Sequence, residues 1–261
     1  MTGPSFLQQM AASGRYHFTM QDAMKALGAS VVAVHAVLRR LKKQGLLAMP
    51  VRGFYVIVPP EYRSLGCLPA EQFVPALMDF LDVPYYVGLL SAAERHGAAH
   101  QRPQEFQVVT SRNRAPLVSG SVRVAFVARG NVRDVPTVTL NSPRGFLRVS
   151  TPEATALDLV TYPEKAGGLD TVATVLAELA ETLDARALAD VAARVGEVPA
   201  VQRLGHLLDA VGGGSQTAFL ADLVANRARR VVRLVPAAPL SGAPLDARWR
   251  VRANATIEVD E

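Results

Sequence analysis

The sequence predicts an α+β protein, with a small helix-and-hairpin domain at residues 1–60 and a larger α+β domain, a mixed sheet with helices, at residues 61–261. Apolar residues recur at helical spacing in two short segments before residue 45. Alternating apolar runs lie between residues 106 and 149, and helical patterns continue from there to residue 226. With 261 residues, 49% of them hydrophobic, the chain is long enough for two packed cores.

Two helices are predicted in the first domain. Thr19 is a suitable N-cap for the first helix, Met20–Leu27, which ends at Gly28. Ser30 caps the second helix, which runs to about Gln44. The apolar residues of the second helix share one side and are expected to pack inward. They are Val31, Val34, Val37, Leu38 and Leu41.

A two-stranded hairpin is predicted after the second helix. Its strands are Leu46–Met49 and Phe54–Val58, and the turn between them, Pro50–Gly53, carries Arg52 at its tip. Two helices followed by such a hairpin are typical of a winged helix–turn–helix domain, in which the second helix is the recognition helix. Pro59-Pro60 closes the hairpin, so we expect the domain boundary at residue 60.

Positive charge is concentrated in this first domain. Its seven cations and one acid give residues 1–60 a net charge of +6, although the whole chain carries only +5. Neutralisation of phosphates requires such a local concentration, so we predict binding to double-stranded DNA. The alternative is a solvated basic helix without a nucleic-acid role. The predicted DNA-contact residues are Ser30, Ala33, His35, Ala36, Arg39, Arg40, Lys42, Lys43 and Arg52.

The first turns of the predicted recognition helix are small and apolar. Residues 31–34 read Val-Val-Ala-Val, and none of these side chains can form a hydrogen bond. We therefore expect few hydrogen bonds to base edges from these turns. Specificity is expected to depend on His35, the wing and DNA shape.

The larger domain is predicted to combine helices with a sheet. Helical patterns cover 69–81 and 85–96. Ser150-Thr151-Pro152-Glu153 is a strong helix start, because it joins hydroxyl caps to a first-turn proline and an acid. Two last strand-like runs, 231–235 and 248–252, are expected to close on the sheet. The four strands predicted before them are Phe106–Thr110, Val122–Val127, Thr137–Leu140 and Phe146–Val149.

Charge is also segregated within the larger domain. Residues 94–148 carry nine arginines and three acids, a net charge of +6, whereas residues 149–226 carry four cations and eleven acids, a net charge of −7. Two interpretations remain open: ordinary solvated surfaces, or a basic region that extends DNA contact or binds RNA.

No catalytic or metal-binding constellation is recognisable in the sequence. His96 and His100 have the spacing of two metal ligands on one helix, but the intervening Gly97 and the lack of a third ligand favour loop or cap histidines. Gly120-Ser121 and Gly214-Ser215 resemble the start of a nucleotidyltransferase motif, yet neither is followed by the acid pair that holds two divalent ions. We expect no enzyme activity, no cofactor and no metal.

A single cysteine, Cys67, excludes an internal disulfide and a multi-cysteine metal site, and its surroundings favour a structural thiol. No run approaches the ~20 apolar residues of a membrane span, and no signal segment opens the given sequence. We therefore expect a cytoplasmic protein with no membrane partner.

Several segments resemble the AbiEi family of antitoxins. They are Tyr85–Gly97 (YYVGLLSAAERHG), Val149–Leu159 (VSTPEATALDL), Arg203–Asp209 (RLGHLLD) and Trp249-Arg250-Val251 with Asn254. The basic segment Arg40–Leu47, with Arg52-Gly53-Phe54-Tyr55, is similar to the winged helix of that family. The resemblance covers essentially the whole chain.

This resemblance implies an antitoxin of a type IV toxin–antitoxin pair, associated with abortive infection against phage. In that family the winged helix binds the promoter, here expected to carry inverted repeats, and represses the operon. The C-terminal domain counteracts a nucleotidyltransferase-like toxin without a stable complex. Two other interpretations of the residues remain open: a repressor whose larger domain senses a small ligand, and a DNA-targeted enzyme of nucleic-acid metabolism.

Overall fold

The computed structural model describes residues 2–98 and 103–258. The chain forms two compact units. Unit 1 consists of Met1–Tyr85, Gln104–Gly130 and Thr139–Arg148, and unit 2 of Tyr86–Pro103, Asn131–Val138 and Val149–Glu261. The mixture of helices and strands confirms the predicted α+β class. No helix in the described ranges has both the length and the apolar character required to cross a membrane.

The helices and strands follow one another along the whole described chain. The α-helices are α1 (Gly3–Ala12), α2 (Met20–Leu27), α3 (Val31–Lys43), α4 (Val74–Phe80), α5 (Leu89–Arg95), α6 (Pro152–Thr161), α7 (Leu169–Leu179), α8 (Ala185–Val195), α9 (Val198–Ala210) and α10 (Ala218–Arg227). The strands are β1 (His17–Thr19), β2 (Leu47–Val51), β3 (Phe54–Ile57), β4 (Tyr85–Val87), β5 (Phe106–Thr110), β6 (Leu117–Ser119), β7 (Val122–Ala128), β8 (Thr137–Ser142), β9 (Gly145–Ser150), β10 (Val232–Arg233), β11 (Leu245–Asp246) and β12 (Val251–Arg252).

Unit 1 begins with a winged helix–turn–helix, in which α1, α2 and α3 share a core with an antiparallel sheet of order β1-β3-β2. A capping box starts α2: Thr19 Oγ1 accepts the Asp22 N–H at 3.2 Å, and the Asp22 carboxylate accepts the Thr19 N–H at 2.8 Å. Gly28, at φ +59°, makes the turn into α3 in a conformation that favours glycine. The predicted helices are confirmed, whereas α1 and β1 are additional.

The central strand of this sheet, β3, is buried on both faces. Successive side chains of a strand point to opposite faces, so Tyr55 and Ile57 pack among α1, α2 and α3. Phe54 and Val56 pack on the other side with apolar residues of segment 67–78. Unit 1 therefore extends beyond the predicted boundary at residue 60, because the segment that follows covers the second face of the wing sheet.

The rest of unit 1 contains β5, β6, β7 and the outer part of the β8–β9 hairpin. Strand β7 pairs in parallel with β5 and antiparallel with β6. Arg144, between β8 and β9, places its guanidinium carbon 3.6 Å from the centroid of the Tyr16 ring and donates to Gln72 Oε1 at 2.7 Å. These contacts attach the hairpin to the winged helix and to the segment that follows it.

In unit 2, α6 is the central helix, and all residues from Glu153 to Val160 are buried. It packs against α5, α7, α8 and α9. Its start is as predicted: Thr151 Oγ1 accepts the Ala154 N–H at 3.3 Å, and Pro152 occupies the first turn.

Strand β4 pairs in parallel with β9 at Val87 and Val149. The prediction of a helix over 85–96 is therefore wrong for its first three residues.

The short strands near the C-terminus form a separate sheet of order β10-β12-β11. The prediction that runs 231–235 and 248–252 close on the larger sheet is therefore wrong. The physical reason is their attachment to α9, because the Gln202 side-chain nitrogen lies 3.0–3.1 Å from the carbonyl oxygens of Arg230, Trp249 and Arg250.

Candidate nucleic-acid interface

Helix α3 separates an apolar side from a basic, solvent-exposed side. Val34, Leu38 and Leu41 are buried in the core of the winged helix. Val31, which was expected to pack inward, lies in the first turn and is 45% exposed. All nine predicted contact residues are exposed. They are Ser30, Ala33, His35, Ala36, Arg39, Arg40, Lys42, Lys43 and Arg52.

The cations of α3 have no counter-ion among the residues that the structure describes. Within residues 2–98 and 103–258, no carboxylate forms an ion pair with Arg39, Arg40, Lys42 or Lys43, whereas Arg15 binds Asp22 at 3.1 Å. Like charges on adjacent turns repel one another at low salt. Phosphates placed against this side would replace repulsion with attraction, so the arrangement favours a polyanion.

A groove of about 630 Å³ lies between α3 and the hairpin. Its lining changes along the helix, from apolar side chains in the first turns to cations in the last turns. The α3 residues in the groove are Val32, His35, Ala36, Leu38, Arg39 and Lys42, and the hairpin adds Met49 and Tyr55. The groove thus joins the exposed side of α3 to the wing.

The wing has a short, exposed tip. Val51 pairs with Phe54, which leaves Arg52 and Gly53 as a two-residue turn, narrower than the predicted turn of four. Gly53 has φ +88°, a conformation that favours glycine, and Arg52 is exposed. The side chain of Arg52 is therefore available to a ligand at the tip.

Two residues of α3 differ from their predicted roles. Ser30 is exposed, but its Oγ accepts the Ala33 N–H at 3.4 Å, so the hydroxyl acts as the helix cap. Val32, absent from the predicted contacts, is 80% exposed and lines the groove. Its position three and four residues before His35 and Ala36 is the sequence signal that places it on the same side.

In unit 2, by contrast, the polar residues of the family-like segments bind one another. The Tyr86 hydroxyl donates to Asp158 Oδ2 at 2.8 Å, and both residues are buried. The Asp209 carboxylate accepts from Trp249 Nε1 at 2.7 Å, Arg248 Nη1 at 2.9 Å and Thr217 Oγ1 at 3.0 Å. These bonds hold the C-terminal segment on α9.

The same helix carries two further attachments. Gly205 lies against the Trp249 indole, and a Cβ at this position would overlap the ring. His206 Nδ1 is 2.7 Å from Asp246 Oδ2. Farther along the C-terminal segment, the Asn254 side chain forms hydrogen bonds of 2.9–3.0 Å with the backbone of Val235 and Ala238. The roles of these segments in the structure are architectural.

The residues considered for catalysis or metal binding are involved in interactions that stabilise the fold. His96 Nε2 is 2.7 Å from the Ser150 carbonyl oxygen, and His100 lies outside the described residues. Burial raises the pKa of the Cys67 thiol to about 11, against smaller opposing effects of hydrogen bonds with Ser119 and Leu68. In the part of the chain that the structure describes, no group of three His, Cys, Asp or Glu side chains is placed to hold a metal ion.

The two Gly-Ser pairs are parts of turns. Gly120 has φ +62° between β6 and β7, and a Cβ there would overlap the Leu65 carbonyl oxygen. Ser121 Oγ donates to that same carbonyl at 3.3 Å. Gly214 begins the 3-10 turn that precedes α10. Close packing and turn geometry explain both pairs.

Comparison with known proteins finds a matching family model. Residues 86–210 match the family model described as AbiEi antitoxin C-terminal domain, a range that begins with unit 2 and ends with α9. A similar solved structure is that of the RV2827C protein from Mycobacterium tuberculosis, with a TM-score of 0.67 and 19% sequence identity; the match covers 94% of this chain and 89% of that chain. That likeness shows a shared fold.

No curated protein matches the chain. The predicted resemblance to the AbiEi family is nevertheless confirmed by the family match, which covers α5 to α9. AbiEi antitoxins are regulatory rather than enzymatic proteins. Residues 86–210 of this chain are thus similar to the AbiEi antitoxin C-terminal domain.

Proposed function

We propose that this protein is a DNA-binding autorepressor and antitoxin of a type IV toxin–antitoxin system that acts against phage. The observation that carries the DNA-binding part is the basic side of α3 beside the wing, which is exposed and has no ion-pair partner in the described part of the chain. The AbiEi domain at residues 86–210 supports the antitoxin part. The proposed functional partner is a nucleotidyltransferase-like toxin encoded in the same operon and counteracted without a stable complex.

In the proposed complex, α3 lies in the major groove of the promoter. Its first two turns, with Ser30, Ala33, His35 and Ala36, face base edges, because small side chains allow close approach. The cations farther along α3 bind phosphates, and Arg52 binds at the wing. Repression then follows from occupation of the promoter in the cytoplasm, and no catalytic step is involved.

DNA binding is tested by titrating the promoter of the protein's own operon with the protein at several salt concentrations. The triple variant Arg39→Ala, Arg40→Ala, Lys43→Ala is expected to bind all duplexes more weakly. Its slope of log affinity against log salt should fall by about 0.9 for each phosphate that the protein no longer neutralises, or about 2.7 for three phosphates.

A matched control removes the same charge elsewhere. Arg63, Arg133 and Arg194 are exposed and lie outside the winged helix, so their triple alanine variant should keep the wild-type slope. If both triple variants weaken promoter binding equally, the net charge of the protein alone determines its DNA affinity. Promoter binding by the α3 variant equal to that of wild type would reject the proposal.

The antitoxin role is tested in cells that express the neighbouring toxin gene together with the full-length chain. The α3 triple variant is expected to rescue growth while it no longer represses the promoter, because neutralisation is assigned to the AbiEi domain. Loss of rescue by this variant, at equal protein level, would contradict that division. Survival and reporter expression are measured in the same strains.

A further inference from the structure

The exposed side of α3 has an apolar strip in its first two turns. Val32 is 80% exposed, and Ala33 and Ala36, on the same side of the helix, are also at the surface. Val34 and Leu38 already fill the core beneath the helix. The strip therefore makes no contribution to the core of the winged helix, and its apolar surface remains available to a partner.

The strip is continuous with the cations. Val32, Ala36 and Arg39 have the spacing of one helical line, and all three line the groove beside the wing. A ligand whose phosphates bind these cations therefore places the groups next to those phosphates against Val32. That ligand must carry negative charge and, about two helical turns from the phosphate at Arg39, an apolar group.

Duplex DNA satisfies both requirements. In the major groove, the one apolar group on the base edges is the C5-methyl of thymine. Hydrogen-bond readout from these turns is limited, because Ser30 Oγ is used as the cap and valine and alanine have no side-chain donors. His35 is the remaining polar side chain between residues 31 and 36.

We propose that α3 selects thymine by contact between its apolar strip and the C5-methyl groups of the operator, with Val32 as the main specificity-determining residue. The proposal rests on the proposed DNA-binding function. A second copy of the chain is a poorer occupant of the strip. A two-fold contact would bring Arg39 and Lys42 close to the same cations of the other copy, and like charges repel.

The test uses the full chain and a duplex that it selects from a random-sequence pool. Each thymine of that duplex is replaced, one at a time, by deoxyuridine, which lacks only the methyl group. We expect about fourfold weaker binding at one or two adjacent positions, the effect of one buried methyl. Val32→Ala should bind the thymine and uracil duplexes equally at those positions.

Val118→Ala is the matched control, because Val118 on β6 is 64% exposed and lies outside the recognition helix. It should keep the full thymine preference. If the selected duplex is bound but no uracil substitution weakens binding, the thymine proposal is wrong and DNA binding stands. If no duplex is selected, the proposed DNA-binding function fails as well. A Val32→Ala variant that loses self-association, with equal loss for both duplexes, would identify the strip as a contact between copies.

Discussion

The recognition helix α3 and the α9–Trp249 region use polar side chains in opposite ways. On α3, Arg39 and Lys43 face solvent and have no internal partner within the described chain. On α9, Gln202 and Asp209 are held by bonds to the C-terminal segment. The family-like motifs therefore identify the architecture, whereas the unpaired charges identify a surface for a ligand.

The difference has an energetic basis. A buried polar group without a partner costs about 1–3 kcal/mol, so the α9 region must satisfy its polar groups internally. An exposed cation is satisfied by water and exchanges that water for phosphate at little cost. Substitutions in the α9 region are thus expected to change the free energy of unfolding, and those in α3 or the wing to change DNA affinity.

The largest expected effect is that of Gly205→Ala. Helix propensity alone would favour alanine by about 1 kcal/mol, but the added methyl overlaps the Trp249 indole. We expect a net loss of about 3 kcal/mol in the free energy of unfolding, measured by chemical denaturation. Gly214→Ala, where a Cβ has ordinary space, is the control. A variant as stable as wild type would show that the indole is not tightly packed.

Asp209→Ala should be the next most damaging. It leaves the Trp249 Nε1–H without its acceptor, and Trp249 is fully buried, so the expected loss is about 2 kcal/mol. Promoter affinity of the folded protein should not change. Asp222→Ala, at an exposed position of α10, should stay within about 0.5 kcal/mol of wild type. Equal effects of the two substitutions would contradict the architectural role of Asp209.

Arg52→Ala tests the wing side of the comparison. Because Arg52 is exposed at the tip, we expect about fivefold weaker promoter binding, equivalent to about 1 kcal/mol, and no change in thermal stability. Binding is measured by mobility shift and stability by thermal melting. If the melting temperature falls together with the affinity, the hairpin tip has a structural role and the proposed wing contact is wrong.

The smallest expected effect concerns the capping box of α2. Burial raises the pKa of Asp22, but hydrogen bonds from Thr19 and the Arg15 charge outweigh it and hold the pKa below its ordinary value of 3.8. A lowered pKa in the folded state stabilises the protein above the ordinary pKa, and this contribution is lost as pH falls through the folded value. Asp22→Ala should cost about 0.5 kcal/mol near neutral pH, the low end for the loss of a helix cap, since it removes only half of the capping box.

The pH dependence of that difference is the decisive measurement. Denaturation of wild type and Asp22→Ala should give curves that converge as the pH falls below 3.8. Thr19→Val removes the hydroxyl cap but keeps the carboxylate, so its difference from wild type should vary less with pH. A difference for Asp22→Ala that is constant with pH would show that the ionised carboxylate is not the stabilising species.

Local signals in the sequence were sufficient for helices α2 and α3 of the winged helix. The caps Thr19 and Ser30, the turn at Gly28 and the spacing of the buried residues of α3 predicted both helices correctly. Such features depend on interactions between residues three or four apart, which a sequence shows directly. The same helical spacing placed the predicted contact residues of α3 on the surface, and the hairpin pattern placed Arg52 at its tip.

Tertiary structure decided what depends on distant partners. Whether Tyr85–Val87 is helix or strand depended on pairing with β9, about 60 residues away along the chain. The burial of β3 on its second face depended on packing against segment 67–78. The role of Asp209 depended on the hydrogen bond that it accepts from Trp249. Contacts between residues far apart in the sequence cannot be predicted from periodicity. The spacing of apolar residues around each partner is the same whether or not the contact forms.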